Sequence, residues 1–428
     1  MIFVLFGALA LLLLMGIPVS FSIGISTTLA ILFEGSLPTV IIAQKMVDGL
    51  NSFTLMALPM FILSGAIMIY GSTPRIMALI NMLLRKKPWG IGSASVYGCA
   101  AFGTISGSGV ATTAAIGSIM APEMAKKGYS RGFTAPLIAA SGTLGGVIPP
   151  SIGFVVYAQI ANVSISDMFM AGIIPGVLTA YLLATLNKFM VKKHNWVTEG
   201  TDYYSQVTGS EKMKIFLNAL LPIFMPIFIL VGVISGIVTP TEAASVSIVY
   251  AFILATFVYK ELSFKKLFEV VKNSVINSST ILIIISFATP FAYLITNKNI
   301  ANIIADWIFS ISGNLILVYG FIIIILLILG TFMESLSLIL LTTPMFLPIL
   351  ITLGVDPIAY GITSGLALGI GAVTPPLAVT LFTACRILKI RVEDTFPWVF
   401  YVCLTMLIGC VLTAVFPILS TFLPSILK

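Results

Sequence analysis

Long apolar segments recur from one end of the chain to the other, with short polar stretches between them. Each is long enough to cross the hydrocarbon core of a bilayer as an α-helix, which takes about 20 residues. Their uniform apolar character does not fit the alternating strands of an outer-membrane barrel. The pattern therefore predicts an all-α polytopic membrane protein. The segments lie at 2–33, 51–71, 91–122, 133–163, 168–191, 215–236, 240–259, 274–296, 315–353, 357–385 and 396–423.

The longest polar stretch, 192–214, divides the chain into halves of similar length. We therefore predict two units, 1–191 and 215–428, joined by a polar cytoplasmic linker. Two shorter amphipathic pieces, Leu37–Asp48 and Leu262–Lys272, are too polar to span a membrane. We expect them to lie in the membrane interface as arms.

The two halves resemble each other in the positions of glycine and proline. Pro-Pro occurs only at Pro149-Pro150 and Pro375-Pro376, which are 226 residues apart. A run of matches at nearly one offset indicates a duplication, whereas a single match of such common residues carries little information. The same offset pairs Gly145 with Gly371, Val147 with Val373, Pro122 with Pro348, Gly128 with Gly354 and Asp167 with Glu393, and an offset of 227 pairs Gly103-Thr104 with Gly330-Thr331.

The positions of positive charge indicate that the two copies are inverted. The turn at 126–131 carries two lysines and an arginine, as cytoplasmic loops do, whereas the matching turn at 354–357 carries only Asp356. One alternating topology then places nearly every basic cluster in the cytoplasm and Lys298 outside. The cytoplasmic clusters are Lys188–His194, Lys212–Lys214, Lys260–Lys272 and Arg386–Arg391.

Two segments, 91–122 and 315–353, are longer than one crossing, and each is followed by a turn signal. Near mid-length the first carries Phe102–Val110 (FGTISGSGV) and the second carries Gly330–Ser337 (GTFMESLS). Consecutive small and hydroxyl residues are unfavourable in a helix interior. We therefore predict two re-entrant helical hairpins.

The segments after the hairpins, 133–163 and 357–385, contain glycine-rich runs that end in Pro-Pro, which predicts broken helices. Proline leaves carbonyls unpaired, and at membrane depth this is tolerated only inside protein or beside a cavity. Free carbonyls suit a small hard cation, and half-helix N-termini attract anions. The breaks are either ordinary kinks or, as their pairing in a duplication favours, the two parts of a transport site.

Three ionisable residues need separate interpretation. Glu334 lies in the second hairpin, where a charge costs at least about 2.5–3.5 kcal/mol. It is either a cation ligand or proton carrier, or a protonated or structurally paired carboxylate. Glu242 follows Thr239 at the start of an apolar segment, where a capping role explains it. His194, the only histidine, lies in a basic loop; we expect it to be solvated, and its isolation excludes a His-based metal site.

Composition excludes several classes of protein. Hydrophobic residues make up 59% of the 428 residues and charged residues 9%, against about 25% in soluble domains. The net charge of +7 lies in clusters between apolar segments, so we predict no binding to nucleic acid. The start of the chain, Met1–Phe33, lacks a basic region and a cleavage site and is predicted to be one retained helix.

The sequence offers no chemistry for covalent catalysis. The serine-hydrolase, zinc-protease and P-loop motifs are absent from it, which predicts that the protein is not an enzyme. The cysteines lack CxxC spacing and are expected to pack as small apolar residues. They are Cys99, Cys385, Cys403 and Cys410.

Together, five motifs give the whole chain a specific resemblance to the large membrane subunit of the TRAP (tripartite ATP-independent periplasmic) transporters. The motifs are SGSGVATTAAIGSIMAPEMAKKGY (106–129), GTLGGVIPPSIGFVVYAQIANVSISDMFMAGIIPG (142–176), TPTEAA (239–244), LGVDPIAYG (353–361) and TPPLAVTLF (374–382). The resemblance implies an elevator-type transporter of a bacterial inner membrane. A mobile domain of two hairpins and two broken helices would slide against a scaffold and import carboxylate-bearing solutes with sodium ions.

The resemblance also implies partners and site residues. The partners are a small four-helix membrane subunit (Q type), expected as a separate chain, a periplasmic substrate-binding protein (P type), membrane lipid and a small organic acid. The implied first sodium site comprises Ser106, Ser108, Gly145 and Gly146, and the second comprises Thr331, Gly371, Thr374 and Pro375. The expected substrate site comprises Ser106, Thr143, Pro150, Ser151, Glu334 and Ser335. Relatives often have Asp in place of Glu334 and Asn in place of Ala367, so no particular relative's substrate is carried over.

Several functions stay open at this point. C4-dicarboxylates, sialic acid and other sugar acids are all candidate solutes. A stand-alone dicarboxylate–sodium symporter of similar architecture is the alternative within the same class. A membrane-embedded enzyme would need a nucleophile–base pair or a metal set that the sequence lacks, and paired occluding hairpins argue against a passive channel.

The charge asymmetry between the matched turns makes a prediction about topology. In a background without the native cysteines, a cysteine placed in the 126–131 turn should react with a membrane-impermeant maleimide only from the cytoplasm. A cysteine in the 354–357 turn should react only from the periplasm. Labelling of both turns from the same side would contradict the inverted repeat.

Overall fold

The computed structural model describes residues 1–84, 87–196, 208–311 and 313–427. These residues form helices and connecting turns without β-strands, which confirms the predicted all-α polytopic class. The first half contains α1 (Ile2–Leu14), α2 (Val19–Glu34), α3 (Val40–Leu50), α4 (Ala57–Met68), α5 (Ser72–Leu84), α6 (Gly90–Ser106), α7 (Gly109–Lys126), α8 (Arg131–Thr143), α9 (Ile152–Ala161) and α10 (Ile165–His194). The second half contains α11 (Gly209–Ile234), α12 (Pro240–Ile253), α13 (Phe264–Asn297), α14 (Ile300–Ile311), α15 (Leu315–Gly330), α16 (Ser335–Thr352), α17 (Pro357–Gly371), α18 (Val379–Leu388), α19 (Trp398–Val415) and α20 (Ile418–Ile426).

Within the described ranges, six helices are long and apolar enough to cross a membrane unaided. Two bent pairs raise that number to eight when each pair counts as one span. One pair is α3 with the segment Phe53–Met68, which meet at 60°. The shorter apolar helices include α9, α17 and α18, and these belong to the two broken segments.

The prediction of one uninterrupted helix over Met1–Phe33 is wrong. The chain breaks between α1 and α2, where Gly16 has a φ of +77° and Pro18 precedes the first residue of α2. Proline cannot donate to the preceding turn, and a positive φ suits glycine, so the Gly-Ile-Pro run ends the first helix. The two helices pack against each other.

The predicted arm at Leu262–Lys272 is not a separate element. Ser263 caps a helix that runs without interruption from Phe264 to Asn297, because no glycine or proline follows to separate the polar turns from the apolar ones. The other predicted arm, Leu37–Asp48, overlaps the distinct helix α3 (Val40–Leu50), which packs on α13. There the hydroxyl of Ser286 donates to the carbonyl of Met46 at 3.2 Å.

Two helices, α5 and α14, lie outside the apolar segments that we predicted from the sequence. Arg75 interrupts the pattern in α5, and Asn302 and Asp306 interrupt it in α14. The predicted linker 192–214 lies partly within helices, since α10 extends to His194 and α11 begins at Gly209. Its centre, 197–207, falls outside the described residues.

Both hairpins and both broken helices are present. Gly107, with a φ of +60°, turns the chain between α6 and α7, and residues 331–334 join α15 to α16. Breaks at 147–151 and 372–378 separate α8 from α9 and α17 from α18. The halves exchange partners: α7 packs on α18 of the second half, and α16 packs on α9 of the first.

Two predictions about single residues can be checked directly. Glu242 accepts hydrogen bonds from the backbone N–H and the hydroxyl of Thr239 at 2.7 and 2.8 Å, which confirms the capping role. His194 is exposed, as expected, but it is not simply solvated. Its ring stacks on Trp196 at 4.9 Å between centroids and meets the ring of Trp398 at 5.2 Å.

Candidate functional site

The tip of the first hairpin is bonded to the first break. The carbonyl of Gly107 accepts a hydrogen bond from the backbone N–H of Ile152 at 3.3 Å. Ile152 is the first residue of α9, and N–H groups at a helix start have no partner within their own helix. The hairpin tip supplies that partner, so the break and the tip stabilise each other.

Glycine allows the hairpin and the broken helix to approach at backbone distance. A Cβ atom on Gly103 would lie 2.6 Å from the Cα of Gly145. A Cβ atom on Gly145 would lie 3.0 Å from the carbonyl oxygen of Ser108 and 2.4 Å from the hydroxyl of Thr112. Any side chain at Gly103 or Gly145 would therefore force the tip away from the break.

Hydroxyl groups cluster at this first junction. The Oγ of Ser106 lies 2.6 Å from the Oγ1 of Thr112 and 3.3 Å from the carbonyl of Ser108. The Oγ of Ser108 caps α7 by accepting from the N–H of Ala111. The junction thus brings together Ser106, Ser108 and Gly145, three of the four residues of the predicted first sodium site.

The fourth residue, Gly146, lies one position further along the break. A Cβ atom there would meet no atom within 4 Å, so the backbone faces open space on that side. Its carbonyl is occupied, however, because it accepts from the hydroxyl of Ser151 at 2.7 Å. The same hydroxyl caps α9 by accepting from Phe154, so the side chain of Ser151 is committed to holding the break rather than free for a solute.

The second junction repeats the arrangement of the first. The carbonyl of Thr331 at the hairpin tip accepts from the N–H of Leu377, just after the second Pro-Pro, at 3.0 Å. A Cβ atom on Gly371 would lie 2.5 Å from the Cα of Gly330. These contacts match the Gly107–Ile152 bond and the Gly103–Gly145 approach of the first half.

The predicted second sodium site gathers at this junction. The N–H of Thr374 donates to the carbonyl of Gly371 at 3.0 Å, and Pro375 follows directly. The hydroxyl of Thr374 donates to Ile370 and lies 3.4 Å from the thiol of Cys403. The carbonyl of Ala372 accepts from both the N–H and the hydroxyl of Thr380. Break carbonyls therefore have more partners than the sequence suggested, which leaves fewer of them free as ligands.

Side chains from both halves meet between the two junctions. Thr143 lies next to α7 and α17, since Cβ atoms on Gly109 and Gly369 would lie 3.2 and 3.4 Å from its Cα and Cβ atoms. A Cβ atom on Gly153 would similarly lie 3.4 Å from Ile339 of α16. Pro150 also belongs here, because its carbonyl would lie 3.1 Å from a Cβ atom on Gly107.

Glu334 and Ser335 begin α16 at the tip of the second hairpin. Glu334 occupies the N-cap position, but its side chain does not cap the helix. Within the described part of the chain, its carboxylate has no hydrogen bond and no ion pair, so a structural partner is not found there. The described residues also contain no group of three His, Cys, Asp or Glu side chains that could hold a metal ion.

Sequence reasoning missed two features of this region. The hydroxyl of Thr112 lies at the first junction. Its position on α7, four residues after Ser108, could have indicated that it faces the same way as the hairpin tip. A cleft of about 440 Å³ lies beside the second break and contains one basic residue and no acidic one. Most of its lining residues lie on one face of α18, at the three- and four-residue spacing of a helix, which can be read from the sequence. The lining residues are Pro376, Leu377, Val379, Phe382, Thr383 and Arg386.

The chain is similar to one protein family over nearly its whole length. Residues 6–419 match the family described as "Tripartite ATP-independent periplasmic transporter, DctM component". The chain is 36% identical, over 98% of its length, to the isethionate TRAP transporter permease protein DctMQ of Oleidesulfovibrio alaskensis, and spans 66% of that protein. It is 32% identical to the sialic acid TRAP transporter large permease protein SiaM of Vibrio cholerae, with 98% of this chain and 97% of that one covered.

A solved structure shares the fold. The YdaH transporter of Alcanivorax borkumensis superimposes with a TM-score of 0.56 over 87% of each chain, at 12% sequence identity. At this identity the likeness concerns the fold alone.

The close approach of glycines at the second junction makes a prediction about stability. Replacing Gly371 by alanine places a methyl group 2.5 Å from backbone atoms of Gly330, which cannot rotate away as a side chain can. We expect a loss of about 1–3 kcal/mol, as for other overpacked sites, and a lower melting temperature of the purified protein. Gly320→Ala in α15 is the matched control, because a Cβ atom there meets nothing within 4 Å. Equal melting temperatures for the two variants would contradict the packing account.

Proposed function

Because the chain belongs to the DctM component family of the tripartite ATP-independent periplasmic transporters, we propose that it imports a small organic anion with sodium ions. It is a multi-pass protein of the inner membrane and a transporter permease component, not an enzyme. The observation that carries the proposal is the matched pair of junctions, Gly107 with Ile152 and Thr331 with Leu377. These two similar tip-and-break contacts support the proposal of two places for a small ion.

The chemistry of the junctions supports sodium as the coupling ion. Apart from Glu334 at the second tip, the groups gathered there are neutral hydroxyl and carbonyl oxygens, such as those of Ser106, Ser108 and Thr374. Neutral hard oxygens at broken helices suit a monovalent cation, whereas a divalent metal usually requires carboxylates. We propose that Ser106, Ser108, Gly145 and Gly146 hold one ion, and that Thr331, Gly371, Thr374 and Pro375 hold the other.

The chemistry of the cleft supports an anionic solute. Arg386 lines it and no acidic residue does, and a guanidinium group suits carboxylate and sulfonate oxygens. Isethionate is a sulfonate and sialic acid is a carboxylate. The solutes named for these two relatives therefore have an anionic oxygen group in common but not a carbon skeleton. We therefore propose a carboxylate or sulfonate anion, which is broader than the carboxylate expected from the sequence. The other contacts proposed for it are outside the lining of this cleft, at the hairpin tips and the first break, with Ser151 holding that break: Ser106, Thr143, Pro150, Glu334 and Ser335.

The proposed mechanism is an elevator movement. Hairpins α6–α7 and α15–α16, with the broken helices α8–α9 and α17–α18, would move as one domain against the remaining helices. Large permease proteins of this family work with a small membrane subunit and a periplasmic binding protein. We propose that here the small subunit is a separate four-helix chain and that the binding protein delivers the anion, which the family membership favours over a stand-alone symporter.

The sodium proposal predicts a specific cation requirement. In proteoliposomes that contain the chain, its small subunit and the anion-loaded binding protein, an inward sodium gradient should drive uptake above the equilibrium level. An equal potassium gradient at the same membrane potential should give only background uptake. Full uptake driven by a proton gradient without sodium would contradict the proposal, and omission of the binding protein tests the delivery step separately.

The first junction makes a second prediction. Ser106→Ala and Ser108→Ala each remove one oxygen without adding bulk, so both variants should assemble normally. A hydrogen bond to a charged group contributes about 1.5–3 kcal/mol and a neutral one about 0.5–1.5, so the apparent affinity for sodium or solute should weaken by roughly two- to a hundredfold. Sodium titration of transport measures the effect.

The control for these variants is Ser118→Ala on α7, the second helix of the same hairpin. Ser118 is exposed, and its hydroxyl donates only to Ala115 of its own helix. If the serines merely allow close packing, all three alanine variants should behave like the unaltered protein. Unchanged sodium and solute dependence in both tip variants would remove Ser106 and Ser108 from the site.

A further inference from the structure

Thr112 uses its hydroxyl differently from the threonine next to it. Thr113 donates to the carbonyl of Gly109, four residues earlier, at 2.8 Å, as threonines in helices commonly do. Thr112 is completely buried on the same helix, yet its Oγ1 lies 2.6 Å from the Oγ of Ser106, across the hairpin turn. The hydroxyl of Thr112 therefore points into the first junction rather than along α7.

The same hydroxyl lies directly over the break. A Cβ atom on Gly145 would be 2.4 Å from the Oγ1 of Thr112 and 3.0 Å from the carbonyl of Ser108. The space that the missing side chain of Gly145 leaves is thus occupied by a hydroxyl and a carbonyl oxygen. Three parts of the fold converge here: the hairpin tip, the first turn of α7 and the first break.

We propose that Thr112 is a positioning residue of the first cation site, an inference that rests on the proposed sodium coupling. Ser106 and Thr112 share one short hydrogen bond, and either oxygen can be its donor. When Thr112 accepts the proton of Ser106, one lone pair of the Ser106 oxygen accepts from the N–H of Ser108 at 3.4 Å and the other is left for the cation. Without the hydroxyl of Thr112, the Ser106 proton turns to the carbonyl of Ser108 at 3.3 Å and occupies an oxygen that the cation needs.

The second junction has no equivalent of this pair. The offsets of 226 and 227 place Leu338 and Ile339 at the position of Thr112, and neither carries a hydroxyl. The hydroxyl of Thr374, which lies in the second break, donates instead to the carbonyl of Ile370 in the last turn of α17. Loss of the Thr112 hydroxyl therefore affects one of two cation sites and leaves the other intact.

The test compares three variants at neighbouring positions. Thr112→Val keeps the shape and removes the hydroxyl, Thr112→Ser keeps the hydroxyl, and Thr113→Val removes a buried hydroxyl that serves its own helix. The sodium concentration for half-maximal uptake should rise roughly two- to tenfold in Thr112→Val, as expected for one lost neutral hydrogen bond. It should stay within about twofold of the unaltered protein in Thr112→Ser and Thr113→Val.

A binding measurement without transport separates this role from packing. The melting temperature of each purified variant is measured in choline chloride and then at increasing sodium chloride. Thr112→Val should melt like the unaltered protein in choline but need more sodium for the same stabilisation. If Thr112→Val does not assemble, Thr112→Ala replaces it in both measurements.

The outcomes distinguish this inference from the proposed function. If sodium neither drives uptake by the unaltered protein nor raises its melting temperature, both the sodium coupling and the role of Thr112 are overturned. Sodium dependence in the unaltered protein, together with the same dependence in the hydroxyl-free variants, would overturn only the role of Thr112. An equal shift in Thr113→Val would also overturn it, because the effect would then follow packing of α7 rather than the bond to Ser106.

Discussion

The whole structure depends on satisfying the backbone of two helices that break within the membrane. A peptide group without a partner in a low-dielectric medium costs several kcal/mol, so a break survives only where something replaces the lost helical bonds. Each hairpin tip does this by accepting an N–H group within two residues of Pro-Pro, from Ile152 in one half and Leu377 in the other. The close contacts between glycines have the same cause. The hydrogen bonds from tip to break form only when the two backbones approach without side chains between them.

The two junctions have similar backbone contacts but differ in how far they are exposed. Ser151, just after the first Pro-Pro, is 1% exposed, whereas Leu377, just after the second, is 51% exposed. α16 packs on α9, directly after the first break, while the second break borders the cleft lined by Arg386. One junction is thus enclosed and the other is open, and of these two described junctions the enclosed one has the pair of hydroxyls 2.6 Å apart.

Much of this arrangement could be predicted, because glycine and proline act through local backbone geometry. The runs around Gly107 and Pro149-Pro150 fixed the hairpin and the break to within a few residues. Side-chain direction could not be predicted, since Thr112 and Thr113 look alike in sequence and point to different partners. The separation of α1 from α2 was not predicted, because the long apolar run over 2–33 was read as one helix although Gly16 and Pro18 favour a break. The continuity of α13 was missed because a polar first turn resembles an independent arm.

The exchange of helices between the halves has a mechanical consequence. Since α7 packs on α18 and α16 packs on α9, each hairpin is clamped by a half-helix of the other repeat. Sliding one hairpin alone would tear apart contacts in both repeats at once. In the proposed elevator movement, interdigitation of this kind would carry the two proposed ion sites together at a fixed spacing, with the solute bound beside them.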